Sequence, residues 1–385
     1  MAVDTPDGGP LPDLEHVLAI NAGSSSVKFA VFLAADPPRE AHRGKLERPG
    51  TPDALLDTLK ARGALGGLTG VGHRIVHGGP DHAAPTLVTA ELLRNLEKLQ
   101  PLDPTHLPSE LALIAAFAAR CPGVPQVACF DTAFHRDLPA VARTLPLPRR
   151  YYAQGVRRYG FHGLSYEYLL EELARVAGAK AANGRVVLAH LGSGASLAAV
   201  HAGRCVDTTM GFTPTGGLVM GTRTGDLDPG VLLHLLRTEK FTADQLDAVV
   251  NRASGLLGIS ETSADARDLL AREAADPRAA EAVAVFCYQA KKSIGAMAAA
   301  LGGLDTLVFA GGVGENSLAI RARICDGLQF LGVRLASDRN GVGANIISED
   351  GAAVAVRVIR TNEEAMIART VFRLLDVPPK EPANG

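Results

Sequence analysis

Val17-Leu-Ala-Ile-Asn-Ala-Gly-Ser-Ser-Ser-Val-Lys-Phe-Ala-Val-Phe32 reads as strand, tight turn, strand. An apolar run from Val17 to Ile20 enters small residues from Asn21 to Ser26, and a second apolar run follows from Val27 to Phe32. The serines at 24, 25 and 26 offer hydroxyls and backbone N–H groups to one point, the concave array that cradles phosphate oxygens. Lys28, just beyond the turn, adds a cation to such a site. Alone, the stretch is better read as a Gly/Ser hairpin turn with a solvated lysine.

The design recurs. Val187-Leu-Ala-His-Leu-Gly-Ser-Gly-Ala-Ser-Leu-Ala-Ala-Val200 has the same order of apolar run, small-residue turn and apolar run. Both copies begin Val-Leu-Ala, and Ser26 and Ser196 fall in step when the two are aligned. One supersecondary unit used twice predicts an α/β protein of two related lobes facing each other across a cleft. A third glycine-rich turn, Gly311-Gly-Val-Gly-Glu-Asn-Ser317, leaves the apolar run Leu307-Val-Phe-Ala310, which makes three phosphate-type turns, each leaving a strand.

At 385 residues the chain exceeds the size of one core, so two domains are expected. A formal charge of −2 argues against a polyanion or a membrane surface as partner, and the lack of tryptophan argues against a stacking platform for single-stranded nucleic acid. The five cysteines are an odd number without CxxC spacing, which reads as small buried residues of a reducing compartment. Residues 1–14 carry Pro, Gly and Asp without a basic or apolar leader pattern, and read as a loose tail. The run from Ile294 to Val313 is divided by its glycines into helix end, turn and strand, so no membrane span is expected. A cytoplasmic protein follows.

Along the chain, helical periodicity marks Thr89 to Leu99 and Ser109 to Ala119, with Ser109 a plausible N-cap. Arg74 interrupts a strand-like run, which is costly unless it faces an anion or a cleft. Leu102-Asp-Pro-Thr-His-Leu-Pro108 is a loop presenting His106, and Asp131 ends a strand where α/β folds often place chemistry. Phe161 and His162 are flanked by glycines. The irregular segment from Asp207 to Asp228 delivers Arg223 between small neighbours, and so long an irregular stretch is usually functional. Thr361 with Glu364 fits a capping box opening the last helix.

Phosphate-binding turns in two lobes imply a nucleoside triphosphate, and paired arginines imply a second anion. A carboxylate acceptor is already ionised and needs no general base, so catalysis reduces to alignment and charge neutralisation. Arg74, Arg223 and His162 suit that task, with a Mg²⁺ held by a carboxylate such as Glu363.

These residues resemble the acetate kinases, of the acetate and sugar kinase/Hsp70/actin superfamily. The matching stretches run in order from about Val17 to Arg369: Asn21-Ala-Gly-Ser-Ser-Ser-Val-Lys-Phe29, Gly72-His-Arg-Ile-Val-His-Gly-Gly79, Phe130-Asp-Thr-Ala-Phe-His135, Gly160-Phe-His-Gly163, His190-Leu-Gly-Ser-Gly-Ala-Ser196, Met210-Gly-Phe-Thr-Pro214, Met220-Gly-Thr-Arg223, Gly255-Leu-Leu-Gly-Ile-Ser260, Gly314-Glu-Asn-Ser317 and Thr361-Asn-Glu-Glu364. The resemblance implies two ribonuclease H-like (actin-like ATPase) domains flanking a nucleotide cleft. Residues 15–149 with 363–376 would form the first and 150–362 the second, with a tail at 377–385. It implies reversible, Mg²⁺- or Mn²⁺-dependent in-line transfer from ATP to acetate, giving acetyl phosphate and ADP, by a cytoplasmic homodimer.

By the same resemblance Arg74, Arg223, Asp131 and His162 would be catalytic, and Asn21 and Glu363 would serve the metal. Ser24, Ser26 and Lys28, with His190, Leu191, Gly192, Ser193 and Gly194, would line the phosphates. Gly312, Val313, Gly314 and Asn316 would border the nucleoside, with Asp265 and Arg267 on its other side. Val76, Thr105, Phe161 and Pro214 would wall the acyl pocket.

The sequence departs from the family pattern at Ser193 (usually Asn), Thr105 (usually Leu), Leu164 and Tyr166 (usually Thr and His), Thr215-Gly216 (usually Leu-Glu) and Ala266 (usually aromatic). Thr105 would make the acyl pocket more polar and tolerant of a hydroxylated or slightly different short acid, so a small hydroxy acid or propionate is the alternative substrate. Val76 keeps the pocket narrow and favours acetate over propionate. A sugar or polyol kinase, with Asp131 as general base, and an Hsp70- or actin-like nucleotide switch are the remoter alternatives.

Overall fold

The structure, a computed structural model, describes residues 15–23, 26–47, 51–104 and 106–378. The expected tail at 1–14, most of that at 377–385, and the expected site residues Ser24 and Thr105 lie outside the described residues. The chain forms two compact units. One holds the described residues up to Phe134, Gly163–Tyr168 and those from Asn362 onward; the other holds His135–His162 and Leu169–Thr361. These units divide the chain differently from the expected domains at residues 135–149, 163–168 and 362.

The sheet of the first unit is built from β1 (His16–Ala22), β2 (Ser26–Leu33), β3 (Arg39–Glu47), β4 (Leu68–Ile75), β5 (Thr86–Leu87) and β6 (Gln126–Phe130), in the order β3-β2-β1-β4-β6-β5. β1, β2 and β3 form an antiparallel meander, and β4 and β6 extend it in parallel from β1. The sheet of the second unit contains β7 (Arg185–Leu191), β8 (Ala195–His201), β9 (Arg204–Thr208), β10 (Thr306–Ala310) and β11 (Ala355–Val358), in the order β11-β10-β7-β8-β9. Again three strands form an antiparallel meander, and two parallel strands extend it from the first. This order and sense, used twice, are those of the ribonuclease H-like (actin-like ATPase) fold, and they realise the repeat seen between the two hairpins.

Both faces of β1 are buried, and its alternating side chains divide between two cores. Val17 and Ala19 pack with Ile367 and Val371 of the Glu363–Leu374 helix. Leu18 and Ile20 pack with Leu55 and Leu59 of the Pro52–Ala61 helix and Phe117 of the Leu107–Arg120 helix. In the second unit the Pro277–Leu301 helix covers β7, β8 and β9. Asp276 caps its first turn, Pro277 supplies a preset φ, and Gly302 ends it at φ 68°.

Three local expectations are corrected. Ser109 is no N-cap: the helix begins at Leu107, with Pro108 in its first turn, and the Ser109 hydroxyl donates back to the His106 carbonyl at 2.8 Å. The third glycine turn is itself helical, Gly311–Asn316. The capping box at 361–364 does not form. Asn362 caps that helix through Ala365 N–H, and Glu364 turns instead to Asn21 and Arg43.

Candidate active site

In the first unit, β1 and β4 run in parallel and carry Asn21 and Arg74, while Asp131 follows the last residue of β6. Arg74 Nε donates to both Asp131 oxygens at 3.2 and 3.1 Å, Nη2 donates to Oδ2 at 2.6 Å, and Nη1 donates to the Ala22 carbonyl at 3.2 Å. The anion demanded by an arginine in a buried strand is therefore Asp131, itself only 1% exposed. Burial opposes the Arg74 charge, but Asp131 and Glu363 outweigh it and hold the guanidinium above its usual range. Of its five N–H groups, one on each terminal nitrogen remains outside these bonds, a fork suited to a planar oxyanion.

Asn21 Nδ2 donates to Glu363 Oε2 at 2.7 Å and to Glu364 Oε1 at 2.8 Å. Arg43 steadies the buried Glu364 carboxylate, reaching its Oε2 at 3.3 Å, and also donates to Asn362 Oδ1 at 3.1 Å. The donor set is hard oxygen from one amide and two carboxylates, the kind Mg²⁺ accepts beside phosphate and water. Among the described residues no group of three or more His, Cys, Asp or Glu forms a metal cage. Ser26 is buried, its carbonyl closing the turn onto Gly23 N–H at 2.9 Å, and Lys28 is exposed one strand pair away.

Val76 is buried beyond the end of β4, and its N–H is shared by both oxygens of Glu110 at 3.3 and 3.2 Å. Glu110 escaped sequence reasoning because its partner is backbone. Burial pushes its carboxyl well above the usual range, against the attraction of Arg74. His106, read as a loop histidine, is buried, with Nδ1 2.9 Å from Asp103 Oδ1. Gly163, opening the Gly163–Ala177 helix, donates to the Asp131 carbonyl at 2.9 Å. A Cβ there would lie 2.0 Å from that oxygen, so only glycine lets the helix back onto Asp131. Leu164 joins the core of the first unit.

In the second unit His162 sits at φ 59°, a left-handed conformation uncommon outside glycine. Its Nδ1 lies 2.8 Å from Ser196 Oγ, and its ring stacks on His190 with centroids 4.4 Å apart. The turn joining β7 to β8 is closed by Gly192 N–H donating to the Gly194 carbonyl at 3.0 Å. A Cβ at Gly194 would lie 3.4 Å from His162 Nε2 and 3.7 Å from Arg223 Nη1, which brings turn, imidazole and guanidinium together. Arg223 Nη1 donates to the Pro214 carbonyl at 3.2 Å, and Gly221 N–H donates to the Ser193 carbonyl at 2.9 Å. Thus Pro214, Arg223, His162 and residues 190–194 form one cluster. Phe161 is buried beside it, its carbonyl 2.9 Å from Nε2 of His135. Burial lowers the His135 pKa to about 4, so this ring is neutral at pH 7.

The third glycine turn adjoins that cluster, since a Cβ at Gly192 would lie 3.9 Å from Gly312 N. Gly312 itself has open space around its Cβ position. Asn316 Nδ2 donates to the Gly312 carbonyl at 2.9 Å, and Val313 and Gly314 lie within the same helical turn. Asp265 and Arg267 pair with one another at 2.7 Å, beside Ala264, whose carbonyl approaches the Cβ position of Gly221 to 3.0 Å. Sequence reasoning also missed Arg321, 1% exposed, whose Nη1 donates to the Gly314 and Glu315 carbonyls at 2.9 Å each. An arginine in a helix carries no pattern that announces such a clamp.

Residues 47–369 match the acetokinase family. The chain is 45% identical to the acetate kinase of Rhodopseudomonas palustris (strain ATCC BAA-98 / CGA009), covering 94% of this chain and 98% of the relative. It is 43% identical to the propionate kinase of Citrobacter rodentium (strain ICC168), covering 93% and 96%. Among solved structures, Porphyromonas gingivalis acetate kinase is similar at 34% identity and a TM-score of 0.82, covering 94% of this chain and 100% of the other. A propionate kinase from Francisella tularensis subsp. tularensis SCHU S4 is similar at 32% identity and a TM-score of 0.84, covering 93% and 99%.

Proposed function

The chain belongs to the acetokinase family, and from that premise we propose that it is an ATP:acetate phosphotransferase, making acetyl phosphate and ADP reversibly. The observation that carries this reading is the Arg74–Asp131 pair. Asp131 holds the guanidinium by Nε and Nη2, leaving the outer fork for the acyl carboxylate or the phosphoryl in transfer. The acid is ionised at neutral pH and needs no base, so Asp131 acts as the positioning group of Arg74. That favours a carboxylate acceptor over a sugar hydroxyl, because a general base must be within reach of a substrate proton and Asp131 is committed to Arg74.

Arg223 and His162 would neutralise charge on the equatorial oxygens as the phosphoryl moves in line. Ser24, Ser26, Lys28 and residues 190–194 would hold the phosphates. Gly312, Val313, Gly314 and Asn316, with Asp265 and Arg267, would border the nucleoside. Val76, Thr105, Phe161 and Pro214 would wall the acyl methyl. Asn21 and Glu363 would hold Mg²⁺ or Mn²⁺, which when bound neutralises charge on the phosphate oxygens. Residues 15–149 with 363–376, and 150–362, are the domains we assign.

The test is trapping with hydroxylamine. ATP, acetate and the protein should yield acetyl hydroxamate; a sugar kinase or a nucleotide switch would yield none. Propionate is the second reading, favoured by the propionate kinase relative, and Thr105 extends it to small hydroxy acids. A hydroxyl in this pocket shifts preference by only ~1–3 kcal/mol. Thr105→Leu is therefore expected to raise kcat/KM for acetate relative to glycolate. Unchanged ratios among acetate, propionate and glycolate would remove Thr105 from the specificity argument.

We also assign a homodimer. The Pro229–Thr238 helix has no buried residue, and Val231, Leu233 and Leu236 stand exposed on it beside Leu227. Leu233→Asp should convert a dimeric species to a monomeric one in light scattering; a monomeric parent would refute the assignment. All five cysteines are free thiols, in keeping with a cytoplasmic protein, and no helix among the described residues is long and apolar enough to cross a membrane.

A further inference from the structure

We propose that Glu315 is a positioning residue for the nucleotide, tying the third glycine turn to the point where the chain leaves the second unit. One oxygen, Oε1, accepts from Gly311 N–H at 2.9 Å and from Thr361 N–H at 3.0 Å. Gly311 begins the turn that borders the nucleoside in the reading above, on which this inference rests. Its φ is 75°, and a Cβ would lie 2.7 Å from the Leu191 carbonyl, so the turn has a single tight seat against the end of β7. Thr361 is the last residue of the second unit, and Asn362 and Glu363 follow it at once.

The short Gly311–Asn316 helix that carries Glu315 is itself fixed. Arg321 holds the Gly314 and Glu315 carbonyls at its end, and its own Nε is anchored to Asn340 Oδ1 at 2.8 Å. A rigid helix end therefore presents one carboxylate oxygen to two backbone donors that lie 50 residues apart along the chain (311 and 361). The Gly311 N–H is engaged by Glu315, so this turn borders the nucleoside by shape while the phosphates fall to the other two turns. Seating a nucleoside against Gly312 and Val313 then bears on Thr361 through one shared oxygen.

The experiment measures Mg²⁺-free ADP binding by calorimetry to the full chain and to Glu315→Ala and Glu315→Gln. Alanine deletes the acceptor and should weaken ADP binding about tenfold. Glutamine keeps an oxygen at that place and should stay within about twofold of the parent. In turnover, alanine should raise KM for ATP and leave KM for acetate unchanged. ADP binding by the alanine variant equal to the parent's, or a glutamine variant as weak as alanine, overturns the proposal. Where alanine fails to fold, Glu315→Asp, too short to reach both donors, takes its place with the same expectation. A parent that binds no ADP defeats the nucleotide reading itself, which is a different result from a parent and an alanine variant that bind alike.

Discussion

Arg74→Ala should lower kcat for acyl hydroxamate formation by ~10²–10³, the usual cost of removing a donor aimed at developing charge. It should also destabilise the fold by ~3–5 kcal/mol, because a buried carboxylate loses the cation that compensates it. Two effects in one variant invite the objection that lost activity is only lost folding. The pair Arg74→Met with Asp131→Leu separates them. Replacing both members of a buried ion pair by apolar residues of similar size is often neutral for stability, so the thermal midpoint should return most of the way to the parent's. Activity should not return at all. Recovery of hydroxamate formation in the double variant would mean that Arg74 serves the fold alone. Asp131→Asn gives an intermediate case: the amide oxygen still accepts from Arg74, but an NH2 donor replaces the second acceptor and the guanidinium is held less firmly, so kcat should fall with KM for acetate nearly unchanged.

What the chain declares in its own order is local. The two strand–turn–strand units are short-range patterns, and both form the expected antiparallel pairs with Asn21 opposite Lys28 and His190 opposite Ser196. Arg74 was legible because a cation in a buried run requires a counter-charge; that Asp131 supplies it was not, since the two are joined only by the parallel pairing of β4 with β6. The failures share one cause. Thr361 and Glu364 have the spacing of a capping box, but Glu364 is claimed by Asn21 and Arg43, more than 300 residues earlier. Residues 311–316 are helical despite three glycines, because Arg321 and Glu315 fix the turn from outside its own propensity. Glu110 and Glu315 both act on backbone N–H groups remote in sequence, a kind of partner that no residue pattern encodes.

Glu363→Gln should cut kcat by ~10²–10³ and move the Mg²⁺ dependence of activity to higher concentration. The substitution is nearly isosteric, and a glutamine carbonyl can still accept from Asn21 Nδ2, so the fold should be little disturbed. What changes is charge. Mg²⁺ is held by few protein ligands and takes the rest from phosphate and water, so one carboxylate is a large share of its protein binding. Glu363 also stands among the acids that stabilise Arg74, but Asp131 contributes more, and an arginine stays protonated without either. A pure loss of support for Arg74 would therefore lower kcat slightly at every Mg²⁺ concentration, whereas a lost metal ligand shifts the midpoint of the titration. Asn21→Ala provides the second reading of the same question: it frees both carboxylates from the amide that aligns them, and its Mg²⁺ curve should shift in the same direction. Curves for both variants that overlay the parent's would take the metal away from this pair and leave Asn21 as a tie between β1 and the 363–374 helix.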